Sequence, residues 1–110
     1  MSSLQHVSTQ SFASEVMQST VPVLVDFYAD WCGPCRMLAP TLERLSTEFT
    51  GRAKIVKVNI DHDPALASQF QVSAIPTLAL IADGKVINRT TGLVGEATLR
   101  NVLNQISSAA

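Results

Sequence analysis

Short apolar runs and longer stretches of helical spacing alternate along the chain. Three of the apolar runs are Val23–Tyr28, Ile55–Ile60 and Thr77–Ile81. Their β-branched, leucine and aromatic content, with little polar alternation, is typical of strands that are covered on both faces. A short edge strand is predicted at residues 4–7, and a further strand at Lys85–Ile87.

The longest stretch of helical spacing follows the first apolar run. Pro34 suits the first turn of a helix, and Gly51 suits the left-handed cap at its end. Pro40 lies well inside this predicted helix, where it removes a backbone donor, so a bend is expected there. The apolar stripe of the helix consists of Leu38, Leu42, Leu45 and Phe49.

Three further helices are predicted from apolar residues three or four apart. In the first helix Phe12, Val16 and Met17 share a face, and Thr9 or Ser11 is the expected cap. The second begins with Asp63-Pro64 as cap and first residue and carries Leu66 and Phe70. The stripe of the closing helix consists of Leu99, Val102, Leu103 and Ile106.

The order of these elements predicts an α/β fold with a mixed sheet. A strand, a long helix and a second apolar strand form a right-handed parallel unit, which makes Val23–Tyr28 and Ile55–Ile60 neighbours. Asp83-Gly84 then favours a tight hairpin between the last two strands, which are therefore antiparallel.

The composition narrows the classes of function. With 110 residues and 46% apolar content, we expect residues 1–110 to form one domain whose core needs no crosslinks. The net charge is −1 and the eight Lys and Arg are scattered, which argues against nucleic acid or an acidic membrane as partner. No apolar run approaches the roughly 18 residues of a membrane span, and residues 1–10 do not resemble a signal peptide. We therefore expect a cytoplasmic protein, although an organelle stroma or matrix would suit the same sequence after removal of a transit peptide.

The only two cysteines, Cys32 and Cys35, stand two residues apart where the first buried strand gives way to the long helix. Such a pair can be a dithiol that cycles to a disulfide, half of a zinc site or a static crosslink. A helix N-terminus favours a thiolate on Cys32, and a reducing compartment favours catalytic cysteines. Zinc would need two more ligands, for which His6 and His62 lack the spacing, so we expect them at the surface and no metal site. A crosslink that closes so short a loop would stabilise little.

Two charged residues interrupt the apolar strands. Asp26 lies in the first and Lys57 in the second, so the two side chains are expected to pair if the strands are neighbours. A buried Asp26 would have a raised pKa because desolvation disfavours its charged form. The alternatives are a surface carboxylate on a half-exposed strand and a lysine that extends to solvent from a sheet edge.

The chain resembles the thioredoxin family over nearly its whole length. The resemblance is carried by the motif W-C-G-P-C at residues 31–35, by V-D-F-Y-A around Asp26, by K-V-N-I-D around Lys57, and by Ile75-Pro76-Thr77. It implies the thioredoxin fold, a central five-stranded mixed sheet flanked by four helices. It also implies a monomeric thiol–disulfide oxidoreductase that reduces protein disulfides. Its redox-active disulfide would be Cys32–Cys35, with no other cofactor, and a thioredoxin reductase linked to NADPH or to ferredoxin would recharge it.

The resemblance also implies roles for individual residues. Cys32, nearer the surface, would attack the substrate disulfide, and the more shielded Cys35 would resolve the mixed disulfide. Asp26 would accept the proton of Cys35, and Lys57 would tune that base. The active site would be supported by Gly33, Pro34 and Pro76, the last joined to Ile75 by a cis peptide bond. A shallow apolar groove for substrate would be formed by Trp31, Ile75, Gly92 and Leu93.

Three departures from the family pattern concern the surface around the dithiol. Tyr28 stands where many relatives have Trp, Arg36 where Lys is common, and Ala74 where Gly often precedes the Ile-Pro pair. None of them removes a catalytic group, but they bear on the choice of partner. Two alternatives remain: a binding module in which the groove is a subunit contact, and an oxidase or isomerase, which would have a higher reduction potential.

Overall fold

Five strands form one mixed sheet in the computed structural model, which describes residues 4–107. The strands are β1 (Gln5–His6), β2 (Val23–Tyr28), β3 (Lys54–Asn59), β4 (Thr77–Ala82) and β5 (Lys85–Thr91). Their spatial order is β1-β3-β2-β4-β5. β1, β3 and β2 are parallel, whereas β4 and β5 run antiparallel to their neighbours. The predicted mixed sheet, with the first two long apolar runs as parallel neighbours, is confirmed.

Four helical segments accompany the sheet in the described residues. They are a π-helix at Ala13–Met17 and the α-helices α1 (Gly33–Glu48), α2 (Pro64–Gln69) and α3 (Glu96–Ser107). α1 continues through Pro40 as one uninterrupted helix. Within residues 4–107, none of the helices combines the length and the hydropathy that a membrane crossing requires.

The two faces of the sheet are covered by different helices because side chains alternate along each strand. Leu24 of β2 packs with the buried stripes of α1 and α3, including Leu42 and Leu103. Val25 and Phe27 point to the other face, where they pack with residues of the π-helix and α2. Asp26 and Tyr28 therefore belong to the face that α1 covers.

The first helix differs from its prediction. It is a π-helix, in which the Gln18 amide donates to the Ala13 carbonyl five residues earlier. Phe12 and Val16 are buried as expected, but Met17 is 37% exposed. No side chain caps this helix.

Asp63 immediately precedes α2 but does not cap it. Its side chain makes no hydrogen bond to the helix, although Pro64 takes an early helical position as predicted. Instead, Asp63 Oδ1 accepts hydrogen bonds from the amide and the hydroxyl of Thr9, at 3.0 and 3.1 Å. Asp63 therefore does not cap its own helix as predicted, and it joins the start of α2 to a segment that is distant in sequence.

The hairpin between β4 and β5 turns at Asp83 and Gly84, as predicted. Both residues have left-handed backbone angles, φ 52° and 74°, which fits the two-residue turns that match strand twist. β5 continues to Thr91, beyond the predicted end at Ile87. The sequence did not indicate this extension because β5 is an exposed edge strand whose later residues are polar.

The packing of α1 leads to a stability prediction with a control on the same helix. Leu42 is completely buried, so Leu42→Ala should leave a cavity and lower the free energy of unfolding by about 2–5 kcal/mol. Met37 is 68% exposed, and Met37→Ala should change it by less than about 0.5 kcal/mol. Urea unfolding of both oxidised variants checks this, and equal losses would contradict the packing of α1 on the sheet.

Candidate active site

The two cysteines lie where β2 leads into α1. Cys32 is the N-cap residue of α1 in an extended conformation, and Cys35 lies in the first turn. The two form a disulfide, with Cα atoms 5.3 Å apart, so the structure is the oxidised form. Gly33 and Pro34 occupy the intervening helical positions, where a missing proline amide costs nothing.

The N-terminus of α1 acts directly on the sulfur of Cys32. The Cys35 amide donates to Cys32 Sγ at 3.2 Å. Early helix amides lack carbonyl partners and carry the positive end of the helix dipole. After reduction, this environment stabilises a thiolate on Cys32 relative to the thiol.

The expected difference in exposure between the cysteines is not found. Cys32 is 5% exposed and Cys35 is 4% exposed. Both pack in one cluster with Tyr28 and Ala29, and Ile75 lies against it. The disulfide joins the two sulfurs, so both are covered by the same neighbours. Their positions on α1 still differ, because Cys32 precedes the first turn and Cys35 lies within it.

The loop before β4 lies against the disulfide. The carbonyl oxygen of Ile75 is 3.8 Å from Cys32 Sγ, and the peptide bond between Ile75 and Pro76 is cis, as the family resemblance implied. The Gly92 amide donates to the Pro76 carbonyl at 2.8 Å. Gly92 has φ 91°, a conformation that disfavours any side chain, which accounts for a glycine beside Pro76.

Large apolar side chains are exposed at two of the predicted groove residues. Trp31 is 66% exposed and Leu93 is 52% exposed. The Trp31 indole donates to Asp61 Oδ2 at 2.8 Å, so a residue in the loop after β3 orients the ring. Met37, 68% exposed and two residues after Cys35, was not predicted. An apolar residue off the buried stripe of α1 is the signal that could have identified it.

Asp26 is buried without a complete set of partners. It lies within β2, is 2% exposed, and its Oδ1 has no hydrogen-bond partner. Burial raises the pKa of Asp26 from 3.8 to about 7, and the positive charge of Lys57 opposes this rise. The predicted burial is confirmed, and the alternative of a surface carboxylate is excluded.

Lys57 lies opposite Asp26 in the register of β2 and β3. The expected direct pairing is wrong in its detail, because none of the ion pairs among the described residues joins the two. The Lys57 ammonium lies instead 4.2 Å from the centroid of the Tyr28 ring. Since β3 lies between β1 and β2, Lys57 does not extend from a sheet edge.

A cavity of about 130 Å³ lies beside Cys35. It has room for more than one water molecule. Its lining consists of Tyr28, Ala29, Asp30, Cys35, Arg36, Ala39 and Lys57. Water in this cavity would therefore contact Cys35 and Lys57 together.

The histidines lie at the surface, as expected. His6 and His62 are both exposed, and His6 Nδ1 is 3.3 Å from the Tyr28 hydroxyl. Within residues 4–107 there is no cluster of three or more His, Cys, Asp or Glu side chains that could hold a metal ion.

Comparisons with known proteins agree on one family. The family model described as Thioredoxin matches residues 3–105. A protein named thioredoxin from Haemophilus influenzae is 46% identical over 96% of this chain and 98% of its own. Thioredoxin 1 of Synechococcus elongatus is 43% identical over the same shares of the two chains. A thioredoxin from Mycobacterium bovis is 45% identical over 91% of this chain and 86% of its own.

The buried carboxylate predicts how stability depends on pH. The folded-state pKa of Asp26, about 7, is above its ordinary value of 3.8, so the neutral form favours folding. This contribution is complete below pH 3.8 and is lost as the pH rises through 7. At about 1.4 kcal/mol per pKa unit, the loss amounts to about 4 kcal/mol. Asp26→Asn, which cannot ionise, should therefore be more stable than the parent at pH 8 by up to that amount.

Urea unfolding at pH 4 and pH 8 checks this prediction on the oxidised proteins. The difference in unfolding free energy between Asp26→Asn and the parent should widen between the two values. A matched change at the exposed Asp83, Asp83→Asn, should show no such widening. A constant difference for Asp26→Asn would mean that the carboxylate is solvated or paired in the folded protein.

Proposed function

The chain belongs to the thioredoxin family of thiol–disulfide oxidoreductases, and we propose that it reduces disulfides in other proteins. One observation carries the proposal: the only cysteine pair lies at the N-terminus of α1, with Cys32 Sγ accepting the Cys35 amide. This arrangement favours a thiolate at the position from which attack on a substrate would begin. One reduction cycle would leave the Cys32–Cys35 disulfide, which is the form that the structure contains.

In the first step, the Cys32 thiolate attacks one sulfur of the substrate disulfide. A bond forms between the two sulfurs, the substrate S–S bond breaks, and the other substrate sulfur leaves as a thiolate that takes a proton from solvent. The product is a mixed disulfide between Cys32 and the substrate.

In the second step, Cys35 resolves the mixed disulfide. Its thiol gives a proton to Asp26, directly or through a water molecule, and its sulfur attacks Cys32 Sγ. The bond to substrate breaks, the second substrate thiolate leaves, and the Cys32–Cys35 disulfide forms. The raised pKa of Asp26, about 7, supports the role of base, because a base is most effective when its pKa lies near the working pH.

Lys57 would adjust the strength of that base. Its charge favours ionised Asp26, in opposition to burial. The unpartnered Oδ1 of Asp26 supports the role of Asp26 as base, since it leaves one oxygen able to receive a proton.

The surface around the dithiol would hold the substrate. Trp31 and Leu93 offer exposed apolar area, while Ile75 presents its carbonyl beside Cys32. An extended segment bound through backbone groups would allow many substrate sequences. Gly33 and Pro34 support the turn between the cysteines, and Gly92 supports Pro76 through its amide.

A separate enzyme must return two electrons to the disulfide after each cycle. We infer a thioredoxin reductase, linked to NADPH or to ferredoxin, acting on this chain as a cytoplasmic monomer of one domain. Turnover of an insulin-type disulfide substrate with each purified reductase in turn would identify the donor. Failure with both would leave thiol–disulfide exchange intact but refute this form of recharging.

Substitution of each cysteine should separate attack from resolution. Cys32→Ser should abolish disulfide reduction, whereas Cys35→Ser should accumulate a covalent complex with substrate because the resolving thiol is absent. Mass spectrometry of the reaction mixture distinguishes the two. A complex trapped through Cys35 in Cys32→Ser would invert the assignment of the attacking and resolving cysteines. If the variant with both cysteines replaced by serine kept its biological function, the protein would instead be a binding module.

The base can be tested separately from the nucleophile. Asp26→Asn should slow resolution near pH 7 by about 10²-fold, the low end of the range for general acid–base catalysis, and leave the attack step unchanged. Rapid-mixing kinetics with a preformed mixed disulfide measures resolution alone. Equal rates in Asp26→Asn and the parent would remove Asp26 from the mechanism without affecting the roles of the cysteines.

A further inference from the structure

Three adjacent strands bring ionisable side chains into one row. His6 of β1 lies opposite Lys57 of β3, and Lys57 lies opposite Asp26 of β2. Neighbouring residues in register point to the same face of a sheet, so the row extends from the exposed His6 to the buried Asp26. Tyr28 follows Asp26 by two residues and faces the same side.

The Tyr28 side chain crosses this row from β2 towards β1. Its hydroxyl is 3.3 Å from His6 Nδ1, and its ring centroid is 4.2 Å from Lys57 Nζ. The two aromatic rings of His6 and Tyr28 meet edge to face. Tyr28 is 7% exposed, and an ammonium group binds an aromatic face more strongly when water is excluded. The ring is therefore a competitor of Asp26 for the Lys57 ammonium.

We propose that Tyr28 is a positioning residue that holds the Lys57 ammonium on its ring and away from the Asp26 carboxylate, with His6 fixing the ring in place. The inference rests on the proposed role of Asp26 as base. It assigns Lys57 two alternative partners, the ring of Tyr28 and the carboxylate of Asp26. The structure contains the first arrangement, in which Asp26 Oδ1 has no partner.

The choice of partner determines the strength of the base. A cation in contact with a carboxylate lowers its pKa by about 1–3 units. Direct pairing with Lys57 would therefore make Asp26 a weaker acceptor for the proton of Cys35. With the ammonium on the Tyr28 ring, burial dominates and the pKa of Asp26 stays near 7.

Two other charged residues, Asp30 and Arg36, lie near this row, but neither is among the causes that shift the pKa of Asp26. Asp30 and Arg36 line the cavity beside Cys35, and the Arg36 guanidinium donates to the Asp30 carbonyl at 2.8 Å. β4 places the apolar Leu78 opposite Asp26. Among the described residues, Lys57 is the charge that acts on the pKa of Asp26.

The test is to remove the ring while the ammonium remains. In Tyr28→Leu, the midpoint of the Asp26 carboxyl titration, followed by carbon NMR in the oxidised protein, should fall by about one pH unit. The acid limb of the pH profile for resolution should move to lower pH by the same amount. Tyr28→Phe keeps the ring but loses the hydroxyl, which interacts with His6 and also with Asn59, so its midpoint should fall by less than that of Tyr28→Leu. His6→Ala removes only the interaction with His6 and should likewise lower the midpoint by less than Tyr28→Leu does.

A double substitution separates this effect from a general disturbance of the fold. In a Lys57→Met background, Tyr28→Leu should cause no further fall in the midpoint, because no ammonium is left to move. An equal fall with and without Lys57 would overturn the proposal, as would an unchanged midpoint in Tyr28→Leu. If Tyr28→Leu does not fold, His6→Ala at an exposed position still decides, since an unchanged midpoint there overturns the role given to His6 and the ring.

The outcomes also distinguish this inference from the proposed function. A fall in the midpoint with an unchanged pH profile for resolution would support the positioning of Lys57 and refute Asp26 as base. Slow resolution in Asp26→Asn combined with an unchanged midpoint in Tyr28→Leu would support the base and refute the positioning.

Discussion

The register of β2 between β3 and β4 determines where the reactive groups of this protein lie. Parallel pairing with β3 sets Asp26 opposite Lys57, and antiparallel pairing with β4 sets it opposite Leu78. The same strand ends four residues before Cys32, so its direction also places the cysteines at the start of α1. A shift of one residue would turn Asp26 to the other face and away from α1. The cores on both faces of the sheet oppose such a shift, because Leu24 would leave the cluster with α1 and α3, and Val25 would leave the cluster with the π-helix and α2.

The buried carboxylate opposes the stability that the core provides. An unpaired charge in the interior is costly, and the neutral form of Asp26 is favoured in the folded chain up to about pH 7. Apolar packing by residues such as Phe27, Leu42 and Phe49 offsets this cost. A carboxylate with two hydrogen-bond donors would be more stable there, but it would also be a poorer proton acceptor. The incomplete hydrogen bonding that makes buried Asp26 costly for stability thus also makes it a better proton acceptor.

Much of the fold and the cysteine site could be predicted because their signals are local. A buried strand, a C-x-x-C turn and a proline in the first helical turn place Cys32 and Cys35, and Asp83-Gly84 places the hairpin. Two of the errors concern side chains that choose among distant partners. Asp63 bonds to Thr9 rather than to its own helix, and Lys57 lies on Tyr28 rather than on Asp26. Sequence spacing predicts which strand a residue occupies, but it does not predict which neighbour a long side chain contacts.

The site must keep two opposed properties, because the resolving thiol needs cover from solvent and its proton needs a path out. The disulfide is nearly buried against Tyr28 and Ile75, whereas the cavity beside Cys35 is lined by Arg36 and Lys57 among other residues. Cover and access therefore come from different sides of the same sulfur. Tyr28 contributes to both, since it packs against the cysteines and lines the cavity. Its ring also binds Lys57, so one aromatic residue links the packing of the dithiol to the charge that acts on the proposed base.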